Sequence, residues 1–183
     1  MDYQVKAVLV DSAGFNRTIT RLAHEIIERN RGTEALGFVG MQTRGVFLAQ
    51  RLAAKVQEIE GSTLPVGVLD TTMYRDDYRT ALKQPQVQIT QIPFDLYDMN
   101  VVLVDDVLYT GRTVRAALDA LMDFGRPRRI QLAVLVDRGH RELPIKPDFV
   151  GKNVPTSMNE EVRVRMTEID QEDAVLLVEV QSS

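Results

Sequence analysis

Thirteen residues from Val101 to Thr113, VVLVDDVLYTGRT, constrain the fold of this chain more than any other stretch. Four consecutive apolar residues without polar alternation read as a strand buried on both faces, and such strands belong to parallel sheets covered by helices. Asp105 and Asp106 then set two like charges side by side at the end of the run. That arrangement costs free energy unless a cation arrives or solvent screens the pair. Thr110-Gly111-Arg112-Thr113 follows, where the chain leaves the sheet as a loop and enters a helix. Unpaired amides and roughly +0.5 of charge at a helix start suit a phosphate.

The rest of the chain agrees with an α/β fold. In FNRTITRLAHEIIERNRG, Phe15, Ile19, Leu22, Ala23, Ile26 and Ile27 share one helical face, with Asp11 or Ser12 as N-cap and Gly32 as the stop. ALGFVGM reads as a buried strand, Thr43-Arg44-Gly45 as a turn, and the next helix carries Leu48, Leu52, Val56 and Ile59 on one face. PVGVLDTTM, NVVLVD and IQLAVLVD read as further strands, with a helix from about Arg112 to Phe124 closed by Gly125. Repeated strand and helix units predict a central parallel sheet flanked by helices, with ligands beyond the carboxyl ends of the strands, where Asp105, Asp106 and Thr43-Arg44-Gly45 all fall. Two segments break the alternation. Residues 74–92 are polar and weakly periodic and read as a flexible loop, and residues 137–183, rich in turn residues before two short alternating strands, read as a small C-terminal hood. The 183 residues form one domain on this reading.

Composition narrows the chemistry. There is no cysteine, so disulfides, thiolate chemistry and Cys-based zinc sites are excluded, and any metal must be held by oxygen or His. A net charge of -4 argues against blanket attraction to nucleic acid but leaves room for a local basic face. No apolar run reaches about 18 residues, and MDYQVKAVLV lacks the pattern of a secretory signal, so a cytoplasmic location without a membrane partner is expected.

A ribose 5-phosphate seated on Thr110-Gly111-Arg112-Thr113 would turn its sugar toward Asp105 and Asp106, whose oxygens can accept hydrogen bonds from two vicinal hydroxyls. A magnesium ion held mainly through the substrate, with Asp105 and Asp106 as candidate ligands, would relieve the repulsion of the pair. At this point VVLVDDVLYTGRT resembles the 5-phosphoribosyl 1-diphosphate (PRPP) signature of the type I phosphoribosyltransferases. RLAHEIIERN, TRGVFLAQRLA, YRDD, LAVLVDRGHRELPI and DFVGKNVPTS extend the resemblance from about Ile19 to Glu179. They narrow it to bifunctional regulators of pyrimidine operons that are also uracil phosphoribosyltransferases.

That resemblance implies PRPP as co-substrate, Mg2+ as cofactor, uracil as acceptor, and UMP with pyrophosphate as products. It assigns the ribose hydroxyls to Asp105 and Asp106, the 5-phosphate to Thr110 through Thr113, and a pyrophosphate loop to Thr43, Arg44 and Gly45. Arg75, in Tyr74-Arg75-Asp76-Asp77, would contact pyrophosphate from a loop closing over the substrate, while Arg138 and Val162 would line the base pocket. No general base is assigned. It also implies a second partner, a hairpin in pyrimidine-gene leader mRNA, whose binding UMP and UTP strengthen and PRPP opposes. Thr20, Arg21, His24, Arg29, Arg141, Lys146 and Lys152 match positions tied to RNA contact, and Arg17, Arg21 and His24 lie in one row of the first helix. Lys146 stands where relatives often carry Arg, which keeps the charge and loses the planar fork. A homodimer or larger assembly is implied as well.

Plainer readings exist for each feature. The acidic pair could be a solvated turn before a capped helix, Thr43-Arg44-Gly45 a simple strand-to-helix turn, and YRDD a polar loop. His24 could be a surface residue, and the basic row a solvated face balanced by Glu25 and Glu28. A transferase without RNA regulation is the main alternative. A phospho-acceptor receiver places its acidic pair after the first strand, whereas about a hundred residues precede this one, and no G-x-G-x-x-G follows the first strand to support a dinucleotide fold.

Overall fold

The computed structural model describes residues 3–74 and 89–180. Two sheets organise the chain. Strands β2 (Leu36–Met41), β3 (Val66–Leu69), β4 (Asn100–Leu108), β5 (Arg129–Asp137) and β6 (Phe149–Asn153) form a five-stranded sheet in the order β3-β2-β4-β5-β6. Every neighbouring pair in it is parallel. A second, antiparallel sheet, β1-β8-β7, joins β1 (Tyr3–Val10), β7 (Glu160–Arg165) and β8 (Ala174–Val180).

The central strand behaves as its sequence predicts. Val101 and Leu103 pack on the side of helix α3 (Arg112–Met122), and Val102 and Val104 pack toward helices α1 (Ser12–Asn30) and α2 (Arg44–Glu60). All four are at most 2% exposed, so the strand carries a core on each face. The strand runs further than expected, however. Its pairing with β5 continues past Val104 through Asp105↔Val134, Val107↔Val136 and Leu108↔Asp137, so the acidic pair lies inside the ladder rather than in the loop beyond it.

Helix α1 starts where Asp11 accepts a hydrogen bond from the Gly14 amide at 2.7 Å. It ends on Arg31 in the left-handed region (φ 58°), while Gly32 N–H reaches the Ile27 carbonyl at 2.9 Å. Gly32 completes the stop without itself being the turning residue at its start. The span 137–183 divides between the two sheets: β6 belongs to the main sheet, and the hood sheet is completed by β1 from the far end of the chain. Sequence reading assigned no strand to residues 3–10, whose side chains are mostly exposed and lack alternation. In the segment expected as a flexible loop, Tyr74 donates to Asp123 and Gln91 exchanges backbone hydrogen bonds with Val68. Residues 75–88 lie outside the described residues.

Arg51 is one of the arginines that fasten the hood to the main body. Arg51 of α2 gives two hydrogen bonds to Glu168 and two to Asp173, and its guanidinium lies 5.3 Å from the Phe15 ring centroid. Burial pushes Asp173 up, but hydrogen bonds from Arg51 and from Thr167 outweigh it and hold the carboxyl below its ordinary value of 3.8. Arg51→Ala leaves the Asp173 side chain, 9% exposed, without its cation. The expected loss is about 2–3 kcal/mol, or roughly 4–10 °C in thermal midpoint by calorimetry at pH 7. Because the carboxyl is depressed in the fold, its contribution is complete above pH 3.8 and fades as pH falls through the lowered value, so wild type and variant should converge in acid. Equal midpoints at pH 7 would remove this role from Arg51.

Candidate active site and nucleic-acid face

The acidic pair is reconciled by strand geometry. Successive side chains of β4 point to opposite faces. Asp105, 9% exposed, faces the α3 side and a cavity of about 350 Å³ that Thr110, Gly111 and Thr113 also line. Asp106, half-buried, faces a second cavity of about 560 Å³ shared with Arg44 and the hood residue Val162. Each carboxylate is also held by the next amide: Asp106 N–H donates to Asp105 Oδ1 at 2.9 Å, and Val107 N–H donates to Asp106 Oδ1 at 2.8 Å. The two charges therefore do not confront each other, and together they flank the end of one strand between two cavities.

Beyond Leu108 the chain turns through Tyr109 and Thr110 into α3. Gly111 precedes the helix with φ 92°, a conformation that L side chains rarely adopt, and no side chain caps it beyond a long 3.4 Å contact from Arg112 N–H to Thr110 Oγ1. The first amides of α3 are thus left facing the cavity with the positive end of the helix behind them, suited to a phosphate. Arg112 and Glu142 line the same cavity, and Arg112 donates through Nε to Glu142 at 2.6 Å. Among the described residues no cluster of three or more His, Asp or Glu could hold a metal. Two separate carboxylates beside open cavities fit a hard divalent ion that takes most of its oxygens from substrate and water.

Thr43, Arg44 and Gly45 are brought against this strand end. The peptide bond between Gln42 and Thr43 is cis, and Arg44 opens α2. A Cβ on Gly45 would stand 2.4 Å from the Val104 carbonyl oxygen, and one on Gly40 would stand 2.4 Å from Val46 Cα. Gly45 lets the start of α2 lie on β4, and Gly40 lets it lie on β2. Arg44 Nη2 donates to both oxygens of Asp170 at 3.0 Å, while its Nε is buried without a partner. Burial raises the Asp170 pKa, but the Met166 amide and Arg44 outweigh that and lower it overall. Asp170 sits in the short helical turn α4 (Thr167–Asp170), and nothing in TEID marked it in the sequence.

The Arg138 side chain is buried. Its Nε donates to Thr156 Oγ1 at 3.2 Å, its Nη2 donates to the Glu160 carbonyl, and its guanidinium stacks 4.1 Å from the centroid of Tyr109. Tyr109, not singled out in the sequence, links the phosphate loop to the hood through this stack, with His140 edge-on at 5.9 Å. His140 Nε2 is also 2.6 Å from the Thr156 carbonyl. Val162 pairs with Leu177 and lines the larger cavity. Arg75 lies outside the described residues.

The residues expected on the RNA face divide into two groups. Arg17, Arg21 and Lys152 line one open groove of about 700 Å³ between α1 and β6. Arg21 donates to Gly151 and Val150 carbonyls and to Glu25, and Lys152 donates to the Leu9 carbonyl at 2.7 Å. Arg29 reaches Asp148 at 3.0 Å, close in sequence to exposed Lys146. His24 is exposed on the same helix, while the Thr20 hydroxyl already donates to the Asn16 carbonyl at 3.0 Å. Arg141 stands apart: its side chain is turned inward onto Asp137, Tyr109 and Ile145. No helix among the described residues is long and apolar enough to cross a membrane.

Comparison with known proteins bears on both halves of this surface. A phosphoribosyl transferase domain family matches residues 8–168. The bifunctional protein PyrR of Pelotomaculum thermopropionicum is 62% identical over 174 residues, covering 95% of this chain and 96% of its own. Its counterpart in Thermus aquaticus is 62% identical over 174 residues with the same coverage. The Latilactobacillus sakei protein of that name is 57% identical over 171 residues, covering 92% and 96%. Among solved structures, the hypoxanthine phosphoribosyltransferase of Trypanosoma cruzi superposes with a TM-score of 0.72 at 14% identity over 97% of this chain and 98% of its own. A Staphylococcus aureus hypoxanthine phosphoribosyltransferase gives 0.69 at 17% identity over 94% and 92%. At those identities the structural likeness establishes the fold alone.

The close approach at Gly45 generates a prediction. Gly45→Ala should displace the start of α2 from β4 and lower kcat/KM for the phosphoribosyl donor by about 100-fold, with the helical circular-dichroism signal retained. Steady-state kinetics equal to wild type would show that the contact is dispensable.

Proposed function

Since the chain belongs to the phosphoribosyltransferase family, in its bifunctional PyrR branch, we propose that it transfers the phosphoribosyl group of PRPP to uracil, with release of pyrophosphate, at the end of β4 and binds a pyrimidine-gene leader hairpin on the α1 and β6 face. It is a uracil phosphoribosyltransferase and a regulator of pyrimidine biosynthesis. The observation that carries the division of labour is the separation of the two surfaces: the carboxylates and uncapped α3 amides line two cavities, and Arg17, Arg21 and Lys152 line a third.

In the transfer, the α3 amides with Thr110 and Thr113 hold the 5-phosphate, and Asp105 and Asp106 accept hydrogen bonds from the ribose hydroxyls. Uracil N1 forms a bond to the anomeric carbon as the bond from that carbon to pyrophosphate breaks, and the N1 proton is lost. Arg44, once released from Asp170, offers charge and its unpaired Nε–H to the departing pyrophosphate, a contribution that grows as negative charge develops. Val162 and the Arg138 backbone bound the base, while the buried Arg138 guanidinium fixes the hood over Tyr109. Magnesium, when bound, supplies charge neutralisation on the pyrophosphate, and Asp105 and Asp106 are its protein-side candidates. No side chain is assigned as general base; positioning and electrostatics carry the step.

RNA binding draws on Arg17, Arg21, His24, Arg29, Lys146 and Lys152. UMP and UTP act as effectors through the same nucleotide site, which PRPP contests. Self-association and a cytoplasmic location belong to the same reading.

Asp105→Asn combined with Asp106→Asn is expected to abolish conversion of uracil and PRPP to UMP, measured with and without magnesium. His24→Ala is expected to weaken hairpin binding in a gel shift about tenfold while turnover persists. If His24→Ala removed turnover and spared hairpin affinity, the two surfaces would be wrongly divided.

A further inference from the structure

Arg141 lies in the set tied by family resemblance to RNA, yet the structure uses its side chain internally. Its Nε donates to the Ile145 carbonyl at 2.9 Å, Nη1 to the Tyr109 carbonyl at 2.6 Å and more weakly to that of Gly139 at 3.5 Å, and Nη2 to Asp137 Oδ2 at 2.6 Å. Three segments converge on one guanidinium: the end of β5, the turn from β4 into α3, and the loop after residue 139. Only 23% of the side chain remains exposed.

The same loop grips the phosphate cradle by other means. The amides of Glu142 and Leu143 both donate to the Thr110 carbonyl, at 2.9 and 3.2 Å. Ile145 packs against Gly111 so closely that a Cβ there would stand 3.3 Å from Ile145 Cδ1. Past the loop, the chain runs through exposed Lys146 to Asp148, which accepts from Arg29 of α1 at 3.0 Å and from the Leu132 amide at 2.9 Å. It then enters β6, whose Gly151 carbonyl takes Arg21. One continuous segment therefore touches the cradle at one end and the basic face at the other.

We propose that Arg141 is a positioning residue that locks residues 139–147 onto the phosphate cradle, and so couples a nucleotide phosphate held there to the RNA affinity of the α1 and β6 face. The inference rests on the division of surfaces proposed above. The carbonyls that Arg141 and the loop grip belong to Tyr109 and Thr110, immediately before the amides that would hold the phosphate. Occupancy of the cradle and closure of the clamp stabilise the same backbone. By linkage, a nucleotide that tightens RNA binding is itself tightened by RNA by the same factor.

The test measures leader-hairpin affinity over a range of salt, with and without saturating UMP, for wild type, Arg141→Gln and Asp137→Asn. Asp137→Asn removes the carboxylate partner of Arg141 while keeping a side-chain oxygen for the Gly139 amide. It keeps the question answerable if Arg141→Gln does not fold. A positioning role predicts that UMP-bound affinity falls about tenfold in both variants, that the ratio of affinities with and without UMP shrinks toward one, and that the slope of log K against log salt is unchanged. A direct phosphate contact predicts instead that Arg141→Gln reduces the slope by about 0.7–0.9 with the UMP ratio intact. Loss of an acid at Asp137 would then raise affinity. Either of those results overturns the proposal. A wild type that retains no hairpin in either condition removes the RNA reading and this inference with it; a responsive wild type whose variants respond equally removes only the inference.

Discussion

The fit of Gly45 against Val104 is the constraint on which the rest of the site depends. With only a hydrogen where a methyl would come within 2.4 Å of a carbonyl oxygen, the first turn of α2 lies directly on the strand that carries Asp105 and Asp106. Arg44 then falls beside Asp106 and the hood, and the carboxyl end of β4 is bounded by α2 on one face and α3 on the other. The buried strand supplies the rigidity. Val101, Val102, Leu103 and Val104 each belong to a packed core, so the acids that follow them are positioned by backbone pairing rather than by their own weak preferences.

That positioning also explains why two adjacent carboxylates are tolerated. Strand alternation sends them to separate cavities, and each accepts a hydrogen bond from the following amide. The arrangement supports negative charge at one point and suits it at another: a few residues on, the glycine-led start of α3 borders one of the two cavities with its first amides. A sugar phosphate matches both halves, with hydroxyls at one end and an anion at the other.

The hood is joined to this centre by apolar packing of Val162, Val164, Met166 and Val175 into the main core, and by arginines. Arg51 holds Glu168 and Asp173, Arg44 holds Asp170, and Arg138 bridges Tyr109 to the Glu160 carbonyl. Guanidinium groups suit this role because one planar fork satisfies several acceptors at once. Arg141 repeats the pattern at the phosphate turn. An arginine's place in the sequence therefore says little about whether its charge faces solvent, substrate or the chain itself.

The sequence by itself determined the strand and helix alternation, the parallel sheet and the glycine-led loop that opens α3, because those follow from local signals: an unbroken apolar run, helical spacing, and Gly111 before a helix. The pairing of residues 3–10 with β8, the assignment of β6 to the main sheet, and the roles of Tyr109, Asp170 and Arg141 were decided only by tertiary structure. Each depends on contacts between residues distant in the chain, and an exposed edge strand, a lone aspartate or a loop arginine carries no local pattern that reveals its partner. The physical reason is the same in every case: backbone preference is set by neighbours in sequence, whereas a buried charge or an unpaired strand edge is satisfied by whatever the fold brings to it.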